Sequence, residues 1–204
     1  MKFVFLSLVL FLFGSIIWGI FNLGVFKEVT FEQTDVAEPV TFHLLAISKT
    51  GAYHEINSVL VDLETWAASK KINCRQTFGL FYDDPDLVEE SRLRADVGCV
   101  IVPEELNEIS KHTSDPELKK YKARRLILKT DSSQILTAVF SGSPWLGPLK
   151  VYSGARKRFH ELQTDFQFPV LETYNIADKN PHTHYIFFLK QVQISPVLDM
   201  IQGN

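Results

Sequence analysis

The chain has 204 residues, with 21 Lys and Arg against 24 Asp and Glu, a formal net charge of −3 and a pI near 6.1. That balance holds no basic surplus for a nucleic-acid partner. Beyond an apolar leader, the remaining length suits one domain, or two small halves packed together, with a substantial core. Its two cysteines, Cys74 and Cys99, each sit in an apolar strand-like run. They could pair, but buried free thiols are the expected state.

From Phe3 to Phe26 there are 24 consecutive uncharged positions, rich in Phe, Leu, Ile and Val. As a helix at about 1.5 Å per residue, the run spans roughly 36 Å, against a hydrocarbon core of roughly 30 Å. Trp18 lies within it, and Lys2 and Lys27 bracket it as interfacial anchors. A cleavable signal would have a shorter apolar region and an Ala-x-Ala-like site. The sequence Asn22-Leu23-Gly24-Val25-Phe26 has no such site, so residues 1–26 read as an uncleaved single-pass anchor. Basic residues differ by at most one between its flanks, which leaves the side of the membrane open with a lean toward an inside amino terminus.

Residues 27–39 are polar and end in Pro39, as expected of a linker. Val40–Ser48 has strand composition, and a Lys-Thr-Gly-Ala-Tyr turn follows. Ile56, Val59, Leu60, Leu63, Trp66 and Ala67 repeat at helical spacing. Ile72–Tyr82 and Val97–Val102 then read as strands, separated by the Asp83-Asp84-Pro85 break. The polar stretch Glu104–Lys120 is loosely helical. Arg124–Lys129 and Gln134–Phe140 read as strands, and Pro144 and Pro148 mark a helix start. Leu149, Tyr152, Ala155, Phe159 and Leu162 fall on one face of that helix. Phe168–Ile176 and Thr183–Val192 are two further strands joined by an Asp-Lys-Asn-Pro turn.

Strand, helix, strand, strand thus occurs twice. Each unit has a glycine at its helix entry (Gly51, Gly142) with an aromatic close behind (Tyr53, Trp145). The expected fold is α+β: duplicated strand–helix–strand–strand units in one antiparallel sheet, both helices on one face, preceded by a transmembrane helix. The opposite, concave face along the seam between units is the expected ligand cleft. Residues 40–192 form the domain and 193–204 a C-terminal tail.

Alternation along Pro169–Asn175 places Val170, Glu172 and Tyr174 on one strand face. A carboxylate between Val and Tyr is costly to bury unless paired or used; on a solvent-facing strand it would be ordinary. Tyr53, Trp145, Tyr82 and Tyr174 stand at turns or strand ends. With Glu172 they could box a cationic or amphipathic ligand by stacking and cation–π contacts. Asp83-Asp84-Pro85-Asp86 lacks the Gly and Glu of a calcium loop and reads as a hairpin turn. His182-x-His184 offers two nitrogens without a third ligand nearby. No phosphate loop or nucleophile elbow occurs, and Ser141-Gly-Ser143 has no local His and Asp. No metal, cofactor or catalytic residue is assigned.

The turn Lys49–Tyr53, the hairpin Phe78–Pro85 with Arg92–Cys99 after it, and the late Leu171-Glu-Thr-Tyr174 strand together resemble the GyrI-like small-molecule-binding domain. This is the effector-binding domain of AraC- and MerR-type regulators. The resemblance covers about residues 40–192. It implies the duplicated fold, a cleft between the halves, and Glu172 facing that cleft amid aromatics. Tyr53 matches the family's glycine-plus-aromatic turn; Trp145 and Tyr82 match less closely. Without a helix-turn-helix, transcriptional control is not implied. The anchored arrangement is similar to membrane-bound single-domain members, and to an autophagy receptor of the endoplasmic reticulum. That receptor's long acidic tail has no counterpart before Asn204. The expected function is a membrane-anchored module that binds a small molecule. The alternatives are a hydrolase of small electrophiles using the same glutamate, and a membrane adaptor that uses the fold for protein interaction.

Overall fold

The computed structural model describes residues 2–112, 114–175 and 182–197, with the side chains of 2–9 and 22 excepted. Helix α1 runs Lys2–Leu23. Among the described residues, no helix is long and apolar enough to cross a membrane. The Asp-Lys-Asn-Pro turn and most of the expected tail lie outside the described residues.

The fold is α+β, with one large antiparallel sheet. Among the described residues its strands are β1 (Thr30–Glu32), β2 (Pro39–Thr50), β3 (Thr77–Phe81), β4 (Arg94–Ile101), β5 (Arg124–Asp131), β6 (Ile135–Phe140), β7 (Val170–Asn175), β8 (His182–Phe188) and β9 (Gln193–Pro196). Their order is β1-β6-β8-β7-β3-β4-β2-β5-β9. The helices after α1 are α2 (Ile56–Ser69), the short α3 (Leu106–Ser110) and α4 (Pro116–Lys120), and α5 (Gly147–Glu161). Strands β3 and β7 meet at the centre, with Gly79 opposite Glu172. On either side of that seam the order is matched: β3-β4-β2 on one flank and β7-β8-β6 on the other.

Two expectations about the flanks change. Residues 27–39 hold β1, which pairs with β6 from Thr30↔Val139 to Glu32↔Thr137. The expected tail begins with β9, paired to β5. Both are short edge strands whose polar composition hid the pairing; main-chain hydrogen bonds need no apolar signature.

The central strands are buried on both faces, so their apolar runs are nearly continuous. In β2, Leu44 and Ala46 enter one core cluster while Leu45 and Ile47 enter another on the opposite face. α2 buries Ile56, Leu60, Leu63, Trp66 and Ala67 against the sheet, and α5 buries Gly147, Val151, Ala155 and Phe159. The buried stripe of α5 is therefore rotated from the expected one: Leu149 is 74% exposed and Leu162 41%. α2 and α5 share one face, and Phe168 packs against the clusters of both. On the other face, Phe78, Leu80, Leu128, Leu171 and Phe188 are buried with no helix among their cluster. The sheet curls so that its own strands cover that side. The concave face is thus filled with core, and the open groove lies on the helix face instead, between α2 and α5.

Cys74 and Cys99 form a disulfide, with Cα atoms 5.2 Å apart. This corrects the expectation of free thiols. Register explains it: Thr77 pairs with Cys99, so the chain leading into β3 passes directly beside β4, a proximity that sequence spacing does not reveal.

Candidate functional site

The groove over the β3–β7 seam is a cavity of about 690 Å³. One wall carries Tyr53, Ile56, Asn57 and Leu60; the other carries Pro148, Leu149, Tyr152, Ser153 and Arg156. Phe81, Phe168, Glu172 and Tyr174 form the floor, and Trp145 stands at the mouth, 68% exposed. The floor is open because of Gly79. A Cβ there would lie 2.7 Å from Phe81 Cζ and 3.3 Å from the Tyr174 hydroxyl oxygen, closing the space beside Glu172.

Glu172 is 4% exposed. The Tyr152 hydroxyl donates to its Oε1 at 2.8 Å, and the Tyr174 hydroxyl to its Oε2 at 3.0 Å. Tyr185 pairs with it across β7–β8. Burial pushes the carboxyl pKa up from 4.5 to about 7, against the two tyrosine hydrogen bonds, which lower it. The tyrosines shift in turn. Burial and then the Glu172 charge hold Tyr152 and Tyr174 well above the ordinary phenol range. Among the described residues no cation lies within ion-pairing distance of Glu172; its partners are neutral hydroxyls.

The charged side chains around the groove are otherwise engaged. Arg156 reaches from α5 to Asp84 Oδ2 at 2.9 Å and Asp86 Oδ2 at 3.3 Å, with its guanidinium 4.8 Å from the Phe166 ring centre. Arg94 donates to both Asp83 carboxylate oxygens at 2.7 and 2.9 Å. Asp84 and Asp86 of the 83–86 turn therefore tie the two halves together, while Asp83 pairs with β4 of its own half. No potential metal cluster occurs among the described residues.

Of the expected site residues, Glu172, Tyr53, Trp145 and Tyr174 line this one cavity. Tyr53 is partly committed to structure: its hydroxyl donates to the Asp83 and Arg94 carbonyls at 2.9 and 3.1 Å, and its ring meets Phe81 edge-on at 4.7 Å. Burial pushes its pKa up to about 12. Tyr82 is absent from the cavity. It follows Phe81 by one residue and so points through the sheet, where its hydroxyl donates to Asp96 Oδ2 at 2.5 Å. Asp96 is 1% exposed and also receives Arg124 Nη2 at 2.8 Å and the Ser48 hydroxyl at 2.6 Å. That cluster is a structural network, in which Asp96 is fully engaged while Arg124 Nε is buried without a partner among the described residues.

Sequence reading missed Tyr152, the closest partner of Glu172, which had been assigned to the buried stripe of α5. It also missed Phe81 and Phe168, whose positions resemble ordinary core. Only the alternation of Phe81 with Gly79 on the seam face carried a signal.

No family model matches the chain, and no curated protein matches it. Two solved structures from Listeria innocua are similar in part. One, a hydrolase, has a TM-score of 0.45 at 10% identity, covering 79% of this chain and 94% of its own. The other, an uncharacterized conserved protein, has a TM-score of 0.45 at 11% identity, covering 80% and 94%. Overlaps of this extent carry no inference about the chemistry of this chain.

Proposed function

We propose that this protein is a membrane-anchored small-molecule-binding module whose α2–α5 groove holds a cationic, amphipathic ligand against Glu172. The observation that carries the reading is a buried carboxylate lined by aromatic rings and partnered only by neutral hydroxyls. A positive ligand would supply the missing countercharge and stack on the rings. The matched strand orders beside the seam support descent from a duplicated strand–helix–strand–strand unit. They also support kinship with the GyrI-like domain. Anchoring rests on the 24-residue uncharged run Phe3–Phe26.

The test is a melting-point measurement on the full chain in nonionic detergent, comparing benzyltrimethylammonium with neopentylbenzene, its uncharged isostere. Binding raises the melting point by mass action. A shift from the cation alone, abolished by Glu172→Gln, is the expected result; equal shifts from both compounds would count against the reading.

A hydrolase remains the second reading because a carboxyl with a pKa of about 7 suits general acid–base work near neutrality. Turnover of an electrophile that persists in Glu172→Gln would exclude it. An open cavity of about 690 Å³ does not favour the adaptor reading, for which a filled groove is expected.

A further inference from the structure

We infer that the groove is loaded from the bilayer, through a lip of Trp145 and Leu149 that rests on the lipid surface beside the end of α1. The ligand is then an amphiphile that partitions into membranes. This inference rests on the anchored, cation-binding reading above.

The geometry begins at the junction of α1 with the domain. Leu23, the last residue of α1, accepts a hydrogen bond through its carbonyl from the Ser143 N–H at 3.0 Å. Gly24 and Gly142 approach so closely that a Cβ on Gly24 would lie 2.7 Å from the Gly142 Cα. Lys27 Nζ donates to the Ser141 carbonyl at 2.6 Å, and Lys150 Nζ to the Val25 carbonyl at 2.7 Å. These lysines place two cations at the carbonyl end of α1, where the helix dipole favours them. The loop that enters α5 is thus clamped to the end of the apolar helix, two residues before Trp145.

The groove mouth opens at the same place. Leu149 and Ser153 line the groove and also a second, shallower hollow whose other walls are Phe26, Lys27, Glu28, Val29 and Lys150. Between groove and helix the surface is apolar and uncovered: Trp145 is 68% exposed, Leu149 74% and Phe26 67%. It continues into α1, where Trp18 and Phe21 are 71% and 63% exposed. An apolar rim on a water-facing groove would be unfavourable. Contact with a bilayer removes that penalty, and indole is a preferred side chain at the headgroup level. The occupant of this surface is therefore lipid, on grounds of its continuity with α1 and the basic residues at its edge.

The experiment uses the full chain reconstituted in phosphatidylcholine vesicles, with single-tryptophan variants retaining Trp18, Trp66 or Trp145 and the others changed to Phe. Phosphatidylcholine brominated near the headgroup is the quencher. Loss of emission from Trp18 and Trp145, with the buried Trp66 unaffected, is expected. Quenching of Trp18 but not Trp145 overturns the lip while the anchor stands; quenching of neither removes the anchor and this inference with it. In the same vesicles, dodecyltrimethylammonium should raise the melting point of the wild type and not of Glu172→Gln. A shift with water-soluble benzyltrimethylammonium alone would show a groove filled from water, overturning this inference and leaving the proposed function in place.

Discussion

Replacing Glu172 with Gln should stabilise the protein, and increasingly so as pH rises. The carboxyl has a pKa of 4.5 when solvated and about 7 in the fold, with burial as the cause. Below 4.5 it is protonated in both states and imposes no penalty. Between 4.5 and 7 the folded state binds more protons than the unfolded, so stability falls with rising pH. Above about 7 the full penalty of a buried carboxylate is present. At about 1.4 kcal/mol per pH unit, the gap from 4.5 to about 7 corresponds to roughly 3 kcal/mol. For a chain of this size that is a rise in melting point of roughly 6–12 °C for Glu172→Gln at pH 8, shrinking toward zero at pH 4.5. His43 and His184, both shifted downward chiefly by burial, lose stability as pH falls and partly mask the wild-type slope. The quantity to follow is therefore the difference between the two proteins. Urea unfolding of the full chain in detergent, monitored by tryptophan emission at several pH values from 5 to 8, measures it. A difference that does not change with pH would refute a buried carboxyl that ionises near neutrality.

Benzyltrimethylammonium should bind more tightly as pH rises toward about 7 and level off above it, since only the carboxylate supplies the countercharge; calorimetry across pH 5.5–8.5 reads this directly. Tyr152→Phe removes a hydrogen bond that lowers the Glu172 pKa, so the same binding transition should move to higher pH. Tyr82→Phe should leave that transition in place while costing about 1.5–3 kcal/mol in urea unfolding, because it removes a hydrogen bond to the buried Asp96 carboxylate. Cys74→Ser should free one thiol to Ellman's reagent in the unreduced, unfolded protein, where the wild type shows none. By closing a loop across a sequence separation of 25, the bond contributes about 3.5 kcal/mol on the chain-entropy account, and the variant should lose stability of that order.

Sequence carried the fold wherever a physical constraint acts locally. The strand core Leu44–Ile47 was legible as a continuous apolar run, and the helix core Ile56–Ala67 as a period imposed by one-sided burial. Alternation alone placed Glu172 and Tyr174 on a common face. What escaped was set by the third dimension. Edge strands β1 and β9 each turn one apolar residue, Phe31 or Ile194, toward the core, too few to make a pattern. The Cys74–Cys99 bond depends on β3–β4 register. The side of the sheet that holds the groove depends on how the sheet curls, which no window of residues encodes. Tyr152 was missed because a single residue of helix phase, about 100°, separates the core stripe of Val151 and Ala155 from the groove wall of Tyr152 and Arg156.

The Cys74–Cys99 bond has a consequence for where the domain can work. Disulfides persist in secreted, periplasmic and lumenal surroundings and are rare where glutathione and thioredoxin keep thiols reduced. In a reducing cytosol this domain would carry a buried thiol on β4 and a half-buried one before β3, and lack the staple that fixes the approach to β3. The covalent link thus ties the full strength of the fold to oxidising surroundings.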